Sequence, residues 1–186
     1  MRIARFTAAL ALILPALSLT AASPAAAAVA VTTVSYSGTG CPTGTAQSSI
    51  SSDGKTLQVS FSQLVAVSSL GVPTNGFKSC TLRIRLAGSP SDSLNATATL
   101  SGVRNLPPGR RATSTATYAS PSLPDLPIYS TTGDSPGGPY TDTHSLQSAL
   151  PLGNILLEAR LDTFLRPLTG RQNAFSSINS FTLHIN

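Results

Sequence analysis

The sequence predicts an all-β protein, specifically an antiparallel β-sandwich of the jelly-roll or immunoglobulin-like kind with one disulfide. Three observations support this prediction. Apolar and polar residues alternate with a period of two along most of the chain, turns rich in Gly and Pro separate the alternating runs, and helical periodicity is weak. Alternation on one side leaves each sheet with an apolar face, which a second sheet must cover.

The first 28 residues have the features of a cleavable secretory signal peptide. Arg2 and Arg5 give a positive start, Ala8–Leu19 is an uncharged apolar run, and Ala26-Ala27-Ala28 fits the signal peptidase rule, with cleavage after Ala30 as the alternative. The apolar run is shorter than the ~20 residues of a membrane-spanning helix. We expect a secreted, extracellular protein, free or held at the cell wall, without a membrane anchor and with one domain over residues 29–186.

Alternating runs predict strands in chain order. An Asp-Gly turn at Ser52–Lys55 predicts a hairpin of Ala46–Ser51 with Thr56–Ala66. In the clearest strand, Thr81–Leu86, the side chains of Arg83 and Arg85 share the polar face. Further strands are predicted over Val29–Ser37, Leu94–Ser101, Ala112–Ala119, Tyr140–Leu146, Ile155–Thr163 and Phe181–Ile185.

Two segments are less regular. Leu152–Leu165 fits both a strand and a helical stripe, and we expect a strand because the rest of the chain is β and no helix N-cap is well placed. Pro121–Pro139 contains five prolines and is interpreted as a long surface loop. Such a loop either carries function or merely connects two strands.

The two cysteines, Cys41 and Cys80, are expected to form a disulfide outside the cell. Closing a loop of this length stabilises a fold by roughly 3–4 kcal/mol in the chain-entropy model. A metal site needs more ligands than two distant thiols, and a catalytic thiol needs a neighbouring base. We therefore predict no metal and no cofactor.

The composition indicates a surface solvated by hydroxyl groups rather than by charges. Only 10% of residues are charged, and removal of the signal leaves a net charge of +3, since it takes two of the 12 basic residues and none of the seven acidic ones. The largest basic cluster is Arg110-Arg111, and aromatic residues are not interleaved with basic ones. Nucleic acid is therefore not an expected partner.

Two patterns in the sequence are similar to catalytic groups. Gly133–Pro139 is similar to the nucleophile segment of chymotrypsin-like proteases, but Pro136 follows the would-be nucleophile Ser135 and both histidines come later in the chain, so we interpret it as a turn. Glu158 and Asp162 share a face and bracket an arginine, which is typical of an exposed, charge-balanced stripe. No catalytic residue is predicted from either pattern.

Asp142 and His144 place a carboxylate and an imidazole two residues apart on one strand face. This spacing can orient a base or supply two metal ligands, but no third ligand follows at a recognisable spacing. Arg83 and Arg85, if joined by Arg110-Arg111, would form a patch for an anionic ligand; the alternative is that they only solubilise the sheet. These four residues, Asp142, His144, Arg83 and Arg85, are the surface candidates.

The segment Gly38-Thr39-Gly40-Cys41-Pro42 resembles the opening motif of a family of secreted actinobacterial and fungal proteins known only as a domain of unknown function. The resemblance continues at Ser51–Gly54, Leu57–Ser62, Lys78–Cys80 and Gly138–Asp142. Members usually carry a second cysteine pair, where this chain has Leu150–Gly153 and Leu183–Asn186, which implies a divergent member. The resemblance implies secretion and β-architecture, and no catalytic residue.

The leading hypothesis is a non-catalytic extracellular domain that binds a cell-wall glycan or another protein, or serves a structural role. The chain has few acidic residues, two histidines and no tryptophan. The alternative hypothesis is a secreted hydrolase that uses the Asp142/His144 region.

Overall fold

The computed structural model describes residues 29–68, 76–121, 123, 126, 128–134, 137–148, 153–165 and 173–186. Within these residues the chain forms strands and no helix. The strands are β1 (Ala30–Ser37), β2 (Ala46–Ile50), β3 (Thr56–Phe61), β4 (Val65–Ser68), β5 (Phe77–Ala87), β6 (Leu94–Asn105), β7 (Arg111–Ala119), β8 (Ile128–Asp134), β9 (Gly137–Ser148), β10 (Ile155–Leu165) and β11 (Ala174–Ile185). The predicted signal peptide lies outside the described residues.

The strands form two antiparallel sheets that pack face to face. Sheet A has the order β1-β5-β10-β7-β8, and sheet B has the order β2-β3-β11-β6-β9 with β4 beside β11. Inward side chains from both sheets form one main apolar core, which includes Leu57, Leu82, Leu100, Leu161 and Phe181. The prediction of a two-sheet, all-β sandwich is confirmed.

The disulfide joins Cys41, in the turn after β1, to Cys80 in β5, with the two Cα atoms 5.5 Å apart. Both cysteines are buried. The turn lies against β5 because Gly38 adopts a φ of 143° and has no side chain where the Ser79 carbonyl lies. Gly40 then donates its N–H to that carbonyl at 2.8 Å. The Gly-Thr-Gly-Cys sequence thus allows the turn to lie close enough to β5 for Cys41 to bond to Cys80. The predicted disulfide is confirmed.

The predicted hairpin at Asp53-Gly54 is also present, but the second strand is shorter than expected. Gly54 turns the chain with a φ of 70°, and β2 pairs with β3 as predicted. Thr56–Ala66 is not one strand, since β3 ends at Phe61 and β4 begins at Val65. Phe61 and Leu64 both point into the core, a spacing of three that breaks the period of two.

The prediction of a loop over Pro121–Pro139 is wrong for its second half. Ile128–Asp134 forms β8, the edge strand of sheet A, and β9 already begins at Gly137. Prolines are tolerated in edge strands because one side of such a strand has no partner to bond. Pro139 illustrates this, because it lies in β9, the edge strand of sheet B, opposite Val103.

The ambiguous segment Leu152–Leu165 contains a strand, and so does the C-terminal segment. The side chains of β10 alternate strictly between buried and half-exposed or exposed positions, so the expectation of a strand over Ile155–Thr163 is confirmed. The strand predicted over Phe181–Ile185 begins earlier, at Ala174. Its first part was not predicted because a bulge between Ile178 and Ser180 interrupts the alternation of buried and exposed residues. Both strands occupy the middle of their sheets.

Candidate functional site

Asp142 and His144 lie on the inner face of β9, directed toward sheet A. Their partners in β6 are Leu100 and Ala98, which are buried in the core. His144 is only 6% exposed, and Asp142 is half-buried. His144 is therefore not a surface residue, because the face that carries it is the face that sheet A covers.

The His144 ring is enclosed by two tyrosines from sheet A. The hydroxyl oxygen of Tyr118 lies 3.0 Å from His144 Nδ1. The Tyr129 ring stacks on the imidazole, with centroids 4.1 Å apart and an angle of 1° between the planes. Tyr129 also donates its hydroxyl proton to the Ser145 carbonyl at 2.7 Å. We refer to Tyr118, Tyr129 and His144 as the tyrosine–histidine cluster; it joins the edges of the two sheets.

Burial sets the protonation states of this cluster. Desolvation lowers the pKa of His144 from its ordinary value, and the nearby Asp142 carboxylate partly offsets this. Desolvation, with a smaller contribution from Tyr129, raises the pKa of Tyr118 well above its ordinary value. The ring is therefore neutral and the phenol protonated at pH 7, so Tyr118 can donate its proton to Nδ1.

A second inter-sheet network surrounds Arg104, a residue that the sequence did not single out. Arg104 is 6% exposed, and its guanidinium carbon lies 3.8 Å from the Tyr140 ring centroid. Arg104 donates to the Ser114 hydroxyl at 3.3 Å, and Tyr140 donates to the Ser177 carbonyl at 2.8 Å. Gly133 leaves space for the guanidinium, because a Cβ there would overlap it. Gly133 and Gly137 of the protease-like string thus lie against the buried Arg104.

The lowered pKa of His144 predicts a loss of stability in mild acid. Between the folded pKa and the ordinary value of 6.5, the unfolded chain binds more protons than the folded one. The contribution of His144 to the free energy of unfolding is therefore complete above pH 6.5, its ordinary pKa, and decreases as the pH falls from there through the folded pKa. Melting temperatures of the wild type should fall more steeply with acidification than those of His144→Gln. Parallel curves for the two proteins would contradict this.

The arginine candidates Arg83 and Arg85 are exposed, and Arg110 and Arg111 lie apart from them. Arg83 Nε lies 2.9 Å from Glu158 Oε1, and Arg85 lines a shallow depression of about 340 Å³. Arg83 is in register, through Glu158, with Ala119 at the end of β7. Arg111 stands at the other end of β7, about 26 Å away at ~3.3 Å per residue. Arg110 is buried.

The outer face of sheet B carries rows of polar side chains, none of which is Asp, Glu, Lys or Arg. The strand register aligns outward residues from neighbouring strands into each row. The first row contains Gln47, Ser60, Ser180, Ser101 and Thr141. The second contains Ser49, Gln58, Thr182, Thr99 and Thr143, and the third Thr56, His184, Thr97 and Ser145. We refer to these residues as the hydroxyl face.

Hydrogen bonds within the rows order the hydroxyl face. The hydroxyl oxygens of Ser101 and Thr141 are 3.3 Å apart, and Thr56 Oγ1 lies 3.0 Å from His184 Nδ1. Neighbouring strands are ~4.8 Å apart and successive outward residues ~6.7 Å apart. The face is therefore a grid of hydrogen-bond donors and acceptors. The sequence indicated a hydroxyl-rich surface, but only the strand register shows the rows.

The outer face of sheet A, on the opposite side of the molecule, carries charged side chains. Besides the Arg83–Glu158 pair, Arg160 Nε lies 3.1 Å from Asp162 Oδ2. Glu158 and Asp162 thus share a charge-balanced stripe on β10. Among the described residues, no group of three or more His, Cys, Asp or Glu side chains is placed to hold a metal ion. Nor does the described part of the chain contain a helix able to cross a membrane.

Comparison with known proteins gives a family and distant structural likenesses. The profile of the family described as "Domain of unknown function (DUF4360)" matches residues 27–158. No curated protein matches the sequence. TmCBM61, solved in complex with β-1,4-galactotriose, is 9% identical, with a TM-score of 0.34 over 82% of this chain and 88% of that one.

A second solved structure is the enzymatically active domain of tailspike protein 4 from bacteriophage CBA120. It is 12% identical, with a TM-score of 0.29. The alignment covers 82% of this chain but 19% of that one, so this chain spans about a fifth of its length.

Proposed function

Because the chain belongs to the DUF4360 family, a domain of unknown function, we propose a role from its own residues: it is a secreted, non-catalytic β-sandwich that acts by binding through its surface. A signal peptide over residues 1–28 directs export, and the domain over residues 29–186 remains. The Cys41–Cys80 disulfide supports this proposal, since such bonds persist in oxidising compartments.

One observation carries the non-catalytic part of the proposal. A general base must reach the proton that it abstracts, and His144 is 6% exposed beneath the Tyr129 ring. Within the described residues, its ring bonds to Tyr118 rather than to Asp142. The imidazole therefore contributes to the packing between the two sheets. A hydrolase that uses Asp142 and His144 is the weaker hypothesis.

Activity assays test this proposal. We expect the purified, oxidised protein to release no sugar, peptide or acid from neutral polysaccharides, casein or short-chain esters. The matched variants are Asp142→Asn and His144→Gln, which preserve size and remove the charge or the basic nitrogen. Hydrolysis by the wild type that is lost in Asp142→Asn, with the fold intact by circular dichroism, would contradict the proposal.

Export is tested separately. Expression of the full chain in a secreting bacterial host should place the protein in the medium or on the cell wall, with Val29 or Val31 as its first residue by mass spectrometry. An uncleaved protein that stays in the cytoplasm with two titratable thiols would contradict secretion.

A further inference from the structure

We propose that the hydroxyl face of sheet B is a binding surface for a neutral polysaccharide, whose uncharged sugars lie across the strands. This inference rests on the proposed function, because it names the partner of a surface-binding domain. The residues that carry it are the three cross-strand rows, centred on Thr182 and Thr99.

Charge distribution argues for an uncharged partner. None of the hydroxyl-face residues is Asp, Glu, Lys or Arg, whereas the outer face of sheet A carries Arg83, Arg85 and Arg160 with Glu158 and Asp162. An anionic polymer would be drawn to basic side chains, and its affinity would fall with salt. The hydroxyl face contains no Asp, Glu, Lys or Arg side chain whose charge a partner would neutralise.

Hydrogen-bonding capacity argues for sugars. Each serine or threonine hydroxyl both donates and accepts, as do the hydroxyls of a sugar, so the two surfaces can pair in many registers. The row contacts, such as Thr99 with Thr143 at 3.5 Å, already restrain these side chains. Restrained groups lose less conformational entropy on binding.

The absence of apolar anchors from the face argues against a protein partner. Protein interfaces usually have a core that is apolar and rich in aromatic residues. Of the exposed large apolar side chains of the described residues, Val67 pairs with Phe175 between β4 and β11, beyond the first row, and Phe77 lies at the start of β5 in sheet A. A protein partner would therefore find no apolar centre on the hydroxyl face.

Shallow depressions at two margins of the face suit an extended ligand. One, of about 240 Å³, is lined by Gln47 and Ser60 of the first row. Another, of about 430 Å³, lies beside the third row and is lined by Asn95 and Asn186 together with the oppositely charged Lys55 and Asp92. Asn186 donates its side-chain N–H to Thr97 of that row at 3.3 Å. A polymer crossing the rows would meet further polar groups at both margins.

Retention on insoluble polymers tests the inference. The probes are microcrystalline cellulose, chitin and starch granules, with heparin-agarose as the anionic comparison. The variant Ser60→Glu/Thr143→Glu places two carboxylates in the first two rows, and its matched control, Thr33→Glu/Ser37→Glu, places two on the outer face of sheet A. Circular dichroism and thermal melts check that both variants are folded.

We expect the wild type to be retained on at least one neutral probe, equally at about 0.05 M and about 0.5 M NaCl. Ser60→Glu/Thr143→Glu should weaken retention at least ~tenfold, because sugar contact would strip water from unpaired carboxylates. The control should stay within about twofold of the wild type.

Three results would overturn the inference: no retention on any neutral probe, equal loss in both double variants, or concentration-dependent oligomers that only Ser60→Glu/Thr143→Glu abolishes. The last would make the face a contact between copies of this chain. Failure of the proposed function gives a different result. Retention together with release of soluble sugar would overturn the non-catalytic role and leave the hydroxyl face as the binding surface.

Discussion

Replacing Cys41 and Cys80 together with alanine is expected to lower the free energy of unfolding by roughly 2–5 kcal/mol. The bond closes a loop with a sequence separation of 39 residues and ties the turn after β1 to β5. Cutting it releases that loop in the unfolded chain, which raises the conformational entropy that folding must overcome. In the folded state, it also frees a turn that holds Cys41 in the core.

Urea denaturation of the oxidised wild type, the reduced wild type and the double alanine variant measures this effect. The reduced wild type and the variant should agree to within about 1 kcal/mol, since both lack the cross-link. The slope of free energy against urea should rise in both, because an unlinked chain exposes more surface on unfolding. Unfolding midpoints that coincide for all three proteins would show that the disulfide adds no stability.

Phe181→Ala is expected to lower the free energy of unfolding by about 3–5 kcal/mol. The Phe181 side chain is fully buried, and its strand, β11, lies between β3 and β6 in sheet B. It is in register with Val59 on one side and Leu100 on the other. Truncation leaves a cavity that its neighbours in the closely packed core cannot fill.

Phe77→Ala is the matched control. Phe77 is 45% exposed at the start of β5, so its truncation should cost less than about 1 kcal/mol. The two variants lose the same atoms and differ in burial, which isolates the packing contribution. Equal destabilisation in thermal or urea melts would contradict the position of Phe181 at the centre of the core.

The alternating pattern was sufficient to predict the fold class and most strands. The strand over Thr81–Leu86 was predicted correctly because its two faces differ sharply in polarity, and the Asp-Gly turn was sufficient to predict one hairpin. The prediction was wrong at β8 because the prolines on both sides of it indicated a loop, although Ile128–Asp134 itself contains no proline. Edge strands tolerate such flanks, and a single sequence does not show which strands lie at an edge.

The candidate site was less predictable. A period of two shows which residues share a face, but it does not show which face is covered. In β9 both faces are polar: Asp142 and His144 point inward, whereas Thr141 and Thr143 point outward. Burial of His144 depends on tyrosines from two other strands. The hydroxyl face depends on register between strands far apart in the chain, such as Ser60 with Ser180.

The positions of β10 and β11 have a consequence for the order in which the molecule assembles. β10 and β11, the last two strands of the described residues, are the middle strands of sheets A and B. Until β11 arrives, the β2–β3 ribbon and the β6–β9 ribbon have no partner strand to connect them. Neither sheet can therefore be completed before its middle strand has joined it, and the strands on the two sides of β10, like those on the two sides of β11, are brought together only when that strand is in place.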